Sequence, residues 1–187
     1  MSKLMDRRNA LAIAAGILVE ASSPALGQTV ASGAHPLHGV WALLSLEDHQ
    51  PNGQVVYAWG KGVSGTIVYT PNGRMFVQIL GDPHPRFSAG NVFGPDGRTL
   101  LPIAKDDEIR NAYLGYYAYF GTYRIDEARH VVTHRVESSL RPHEIGLNFE
   151  RPYDLTEDRL VLRYPASKEA GANTRIVTWR RAETLRR

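Results

Sequence analysis

The stretch YAYFGTYRIDEARHVVTHRVES, residues 117–138, decides the fold. Its two arms, YAYFGTYRI (117–125) and HVVTHRVES (130–138), are rich in β-branched and aromatic residues, and only Asp126, Glu127, Ala128 and Arg129 connect them. Four residues are too few for a crossover, so the arms form an antiparallel hairpin. In the second arm positions 132, 134 and 136 read Val, His and Val, while 131, 133, 135 and 137 read Val, Thr, Arg and Glu. Alternate side chains of a strand point to opposite faces, so the more apolar face carries His134 inward. In the first arm Tyr117, Tyr119, Gly121, Tyr123 and Ile125 share one face.

The same pattern extends outward along the chain. VWALLSLEDH (40–49), QVVYAW (54–59), GTIVYT (65–70), RMFVQIL (74–80), GLNFERPYDL (146–155), RLVLRY (159–164) and TRIVTWR (174–180) are further strands. Short connectors such as Pro71-Asn72-Gly73 and Thr156-Glu157-Asp158 make consecutive strands pair as hairpins. A Pro- and Gly-rich loop, 81–105, interrupts them and leads to a short helix at about 105–116, where Ile109, Ala112, Tyr113 and Tyr116 recur at helical spacing behind acidic residues. The expected fold is all-β: an antiparallel up-and-down barrel of eight or nine strands, closure being the simplest way to remove sheet edges. A two-sheet sandwich is the alternative.

Composition narrows the function classes. The 187 residues are 43% apolar and 22% charged, which suits one globular domain rather than a disordered chain or a membrane bundle. The absence of cysteine excludes disulfides, thiolate nucleophiles and Cys-ligated metals. Lys3, Arg7 and Arg8 precede the apolar run ALAIAAGILV (10–19) and a small-residue stretch ending at Gly27, the plan of an export signal. Ten apolar residues span about 15 Å as helix, half of a hydrocarbon core of about 30 Å, too short for a membrane anchor. The expected organisation is a signal peptide over 1–27, in which Arg7-Arg8 resembles a twin-arginine signal, a linker over 28–36, the barrel over 37–182 and a basic tail over 183–187. The mature protein is then periplasmic or secreted, with no integral membrane span. Past Gly27 nineteen basic residues face seventeen acidic ones, a surplus spread along the chain, so no nucleic-acid footprint is expected.

Several motifs carry a family likeness. LHGVWALLSLE (37–47), with Gly39 and Trp41 opening the first strand, resembles the lipocalin signature, and the last-strand pair Trp179-Arg180 offers Arg180 as the arginine that in such barrels packs over the tryptophan. GTIVYT (65–70) with NGRM (72–75), YFGTY (119–123), THRVE (133–137) and the late Arg151 are similar to the lipocalin-like domain family of bacteria and fungi. The resemblance implies a small calycin-type barrel with an internal cavity and no fixed activity. It gives Gly39, Trp41 and Arg180 structural roles.

The candidate site follows from alternation. Leu147, Phe149, Arg151, Tyr153 and Leu155 share a face, which puts a guanidinium among aromatic rings on the apolar side. A buried guanidinium keeps its proton and needs an anion or carbonyls to offset a desolvation cost of several kcal/mol. Glu47, by strand period, and Glu137, by family likeness and provided that a bulge near Ser138 turns it inward, are its two candidate partners. Ligand-binding candidates are Tyr119, Tyr123, His134, Glu137, Arg151, Tyr153 and Tyr164; catalytic candidates are His134 and Tyr123. His130 and His134 would lie about 13 Å apart on a strand, too far to share an ion, so no metal is expected. No cofactor motif and no nucleophile elbow is present, and the glycines of Gly60 to Gly65 precede a strand rather than a helix.

Three readings follow. The first is an exported barrel that binds a small hydrophobic or aromatic molecule. The second is a cofactor-free isomerase, cyclase or lyase with His134 as general base near neutral pH, Tyr123 as proton donor and Arg151 holding an oxyanion. The third is a filled barrel that works through its surface.

Overall fold

Eight strands close into an antiparallel barrel in a computed structural model that describes residues 35–84, 86–88, 91–93, 95–97, 100–102, 104–165 and 173–183. The elements run β1 (Gly39–His49), β2 (Val55–Val56), β3 (Ser64–Tyr69), β4 (Arg74–Leu80), β5 (Asn91–Phe93), β6 (Leu100–Pro102), α1 (Asp106–Leu114), β7 (Tyr116–Asp126), β8 (Val131–Ser139), β9 (Asn148–Leu155), β10 (Arg159–Tyr164) and β11 (Thr174–Arg181). Around the barrel the order is β1-β3-β4-β7-β8-β9-β10-β11, and β11 pairs back onto β1 with Trp41 opposite Arg181. Each neighbour is antiparallel, so the ladder has no free edge around its circumference. The expected signal peptide and residues 28–34 lie outside the described residues, as does the tail beyond Glu183.

The minor elements differ from the sequence reading. QVVYAW contributes only the two-residue β2, an extra strand on the end of β1. The loop expected over 81–105 contains the separate β5–β6 hairpin. The helix ends at Leu114 and Tyr116 opens β7 instead; Ile109 and Tyr113, on the presumed apolar stripe, are 43% and 46% exposed. Local caps hold this helix rather than core burial. Glu108 accepts the backbone N–H of Lys105 through one carboxylate oxygen and that of Ser88 through the other, both at 2.9 Å.

Two β-bulges set which residues face in. Between Leu43 and Ser45 the pairing with β11 slips by one residue, so Trp41 and Leu43 face the core before the slip and Leu46 and Asp48 after it. Glu47 is thereby turned off the inner face, where strict alternation with Trp41 had placed it. The second slip lies between Phe120 and Gly121 on β7, opposite an extra residue, Glu137, on β8. A Cβ on Gly121 would meet the Arg135 carbonyl oxygen at 1.9 Å, so only glycine fits there. Gly121 serves the bulge.

The barrel has two unlike ends. Tight turns at 70–73, 127–130 and 156–158 close one, where Leu37, Trp41, Leu160 and Trp179 are fully buried. Each tryptophan removes on the order of 200 Å² from water, worth roughly 5 kcal/mol at 25 cal/mol per Å². The cap over Trp41 is Arg181, whose guanidinium carbon lies 4.1 Å from the ring centroid while its nitrogens donate to the carbonyls of Pro36, His38 and Glu157. Arg180, expected in that role, is exposed, because it follows the inward Trp179 by one position and Arg181 follows it by two. Gly39, at φ 129, leaves the space that Arg181 occupies: a Cβ there would lie 3.1 Å from Nη1. At the other end the connections between strands are longer, and their described residues include Trp59, Arg141 and Glu144.

Candidate functional site

Beneath those long connections lies a cavity of about 200 Å³, lined by Leu46, Trp59, Ile79, Tyr117, Arg141, Glu144, Phe149, Arg151, Tyr164, Arg175 and Val177. β9 brings Arg151 to its wall on the face shared with Phe149 and Tyr153, as strict alternation requires. Arg151 is 9% exposed and lies between two rings, 3.7 Å from the Tyr164 centroid and 4.7 Å from that of Phe149. Stacking of this kind contributes up to about 2 kcal/mol per ring when desolvated. Nη1 donates to the Glu150 carbonyl at 3.0 Å, whereas the buried Nε has no partner. No carboxylate among the described residues pairs with it.

Both expected partners point elsewhere. Glu137 sits on the outer surface and binds Arg74 through two contacts of 2.9 and 2.8 Å. The bulge around it does shift the alternation, but it is Ser139 that turns inward, donating to Glu144 at 2.8 Å. Glu47 pairs with His49 at 3.0 Å. The carboxylates near the cavity are Asp48, gripped by Arg175 at 2.7 and 3.0 Å, and Glu144, which accepts from Tyr117 at 2.9 Å and lies 3.8 Å from Arg141.

Below the cavity β8 places His134 at 0% exposure. Tyr69 meets its Nε2 at 2.7 Å and Tyr119 its Nδ1 at 2.8 Å. Burial, reinforced by the Arg151 cation, lowers the imidazole pKa to about 3, so the ring is neutral and carries one N–H and one lone pair. One tyrosine donates to it and the other accepts from it. Burial in turn raises both phenols well above their ordinary range, so they stay protonated.

The structure thus separates the sequence candidates by level. Arg151 and Tyr164 reach the cavity; His134 and Tyr119 form the layer that meets Tyr69; Tyr123 and Tyr153 lie toward the closed end; Glu137 is outside. Tyr123 is not beside a base: it donates to the Thr70 carbonyl at 2.8 Å, and burial pushes its pKa up to about 12. Sequence reasoning missed Tyr69, although Ile67 and Tyr69 alternate inward along β3 and the period alone would have found it. It also missed Trp59, in a turn, and Glu144, at the end of the one-turn 3-10 helix Pro142–Glu144, where no strand period applies. Among the described residues no three metal-ligating side chains gather, and no helix is long and apolar enough to cross a membrane.

A closed antiparallel barrel with a partly apolar cavity at its looped end is an architecture that binding proteins use. Residues 38–182 match the lipocalin-like domain, and the chain belongs to that family. Curated proteins give no match. Among solved structures the chain is similar to a redesigned beta barrel, 12% identical over 79% of this chain and 93% of that one, with a TM-score of 0.37.

Proposed function

We propose that this protein is an exported carrier that binds a small hydrophobic or aromatic molecule in the cavity at the looped end of its barrel. The observation that carries the reading is the cavity itself. Its roughly 200 Å³ is walled on one part by Trp59, Tyr117, Phe149 and Tyr164 together with Leu46, Ile79 and Val177, and on the rest by Arg141, Glu144, Arg151 and Arg175, an apolar lining with a few charged groups to orient what binds. The volume lies below the roughly 300–1,000 Å³ usual for drug-sized ligands, which suits a molecule of one or two rings. A filled barrel would have no such space. Export rests on the basic, apolar and small-residue order of the first 27 residues, with 37–182 as the mature domain.

The cofactor-free isomerase, cyclase or lyase reading requires a free base near neutral pH. His134 is a poor one, since tyrosine hydroxyls occupy both nitrogens and its proton affinity is lowered to about 3. Native mass spectrometry of the protein recovered from the periplasm tests the carrier reading. A small molecule should remain bound and leave on denaturation. If none is retained, and no compound of a metabolite screen raises the melting temperature, the carrier reading fails.

A further inference from the structure

Resting on that reading of the cavity, we infer that its ligand carries a carboxylate, held by the unpartnered edge of Arg151. The charged groups of the cavity wall are matched in pairs, with one exception. Arg175 holds Asp48 through Nε at 2.7 Å and Nη2 at 3.0 Å, and Arg141 faces Glu144 at 3.8 Å. Glu144 is further satisfied by Tyr117 and Ser139. Arg151 alone among these has no counter-ion, so the wall carries one unopposed positive charge.

The geometry of that guanidinium specifies what would match it. Tyr164 and Phe149 fix its plane, and Nη1 is taken by the Glu150 carbonyl. Nε has no partner, and Nη2 makes no hydrogen bond to the described residues. Nε–H and the adjacent Nη2–H point to the same side, the edge with which Arg175 holds Asp48 in the same wall. A neutral apolar ligand would exclude water from a cation left without a partner, which is unfavourable. A carbonyl would occupy one donor and leave the charge. A carboxylate meets both donors and cancels the single charge, whereas a phosphate dianion would overshoot it and demand more donors than the edge provides. The remaining space, beside Trp59 and Tyr117, accepts a flat body.

The test compares charged and uncharged isosteres on the full-length mature protein: benzoate against benzamide, and 1-naphthoate and 2-naphthoate against their carboxamides. Binding is followed by calorimetry and by the fluorescence of Trp59 in the cavity wall. At least one carboxylate should bind about tenfold to a hundredfold tighter than its amide, the range for a hydrogen bond to a charged group. Arg151→Met, which keeps an unbranched chain of similar length and removes the unpaired cation, should bind the amide as the wild type does and lose the preference. Equal binding of acid and amide by the wild type, or a preference that survives in Arg151→Met, overturns the carboxylate assignment while the cavity reading stands. If neither member of any pair binds, both fall.

Discussion

His134 holds a tyrosine hydroxyl on each ring nitrogen and has no exposed surface. Its pKa falls from about 6.5 to about 3, chiefly through burial. Between those values the unfolded chain takes up a proton that the folded one refuses, so stability falls as the pH is lowered through that window, by up to about 1.4 kcal/mol per pH unit. His134→Gln keeps a donor and an acceptor but cannot titrate. Urea unfolding across that window should therefore show a steep acid loss in the wild type and a shallower one in the variant; equal slopes would mean that the imidazole is not held neutral. The inward direction of His134 and Arg151 was legible from alternation alone, because both lie in unbroken runs of strand. The partners of His134 were not: Tyr69 lies 65 residues away and meets it only because β3 and β8 face each other across the barrel.

At the scale of the element, alternation holds up to a bulge and reverses beyond it. The slip between Leu43 and Ser45 turns Glu47 out and Asp48 in, and the slip beside Gly121 brings Ser139 inside while Glu137 stays on the surface. Glu47 was lost to Arg151 in this way, whereas Glu137, which the period already placed on the outer face, stayed there because the bulge turned Ser139 inward instead. A bulge adds one residue to one strand for reasons that lie in the partner strand, so a single strand's period cannot reveal it. The closing strand gives a direct check of register. Arg181→Ala should cost about 2 kcal/mol, since three carbonyls and the face of Trp41 lose their cation, whereas Arg180→Ala, on the solvent face, should stay within about 0.5 kcal/mol. Thermal melts of the two variants decide this, and a larger loss for Arg180→Ala would refute the assignment.

For the whole molecule, closure is the event that matters. β11 completes the ladder by pairing with β10 on one side and β1 on the other, and it supplies the fully buried Val177 and Trp179. Deleting residues 174–187 should leave β1 and β10 with open edges and expose the core, so the truncated chain is expected to lose cooperative melting and to scatter light; a sharp transition would show that closure is dispensable. The sequence alone determined the class of fold, the up-and-down order of the major strands and the inward face of His134, Arg151, Tyr119 and Tyr123, because these depend on local period and turn length. Tertiary structure decided the rest: which carboxylates meet which arginines, that Arg181 rather than Arg180 caps Trp41, and that the looped end is hollow while the turned end is packed. Those outcomes depend on register between strands distant in sequence and on how side chains from opposite walls share a fixed volume. No single strand carries that information.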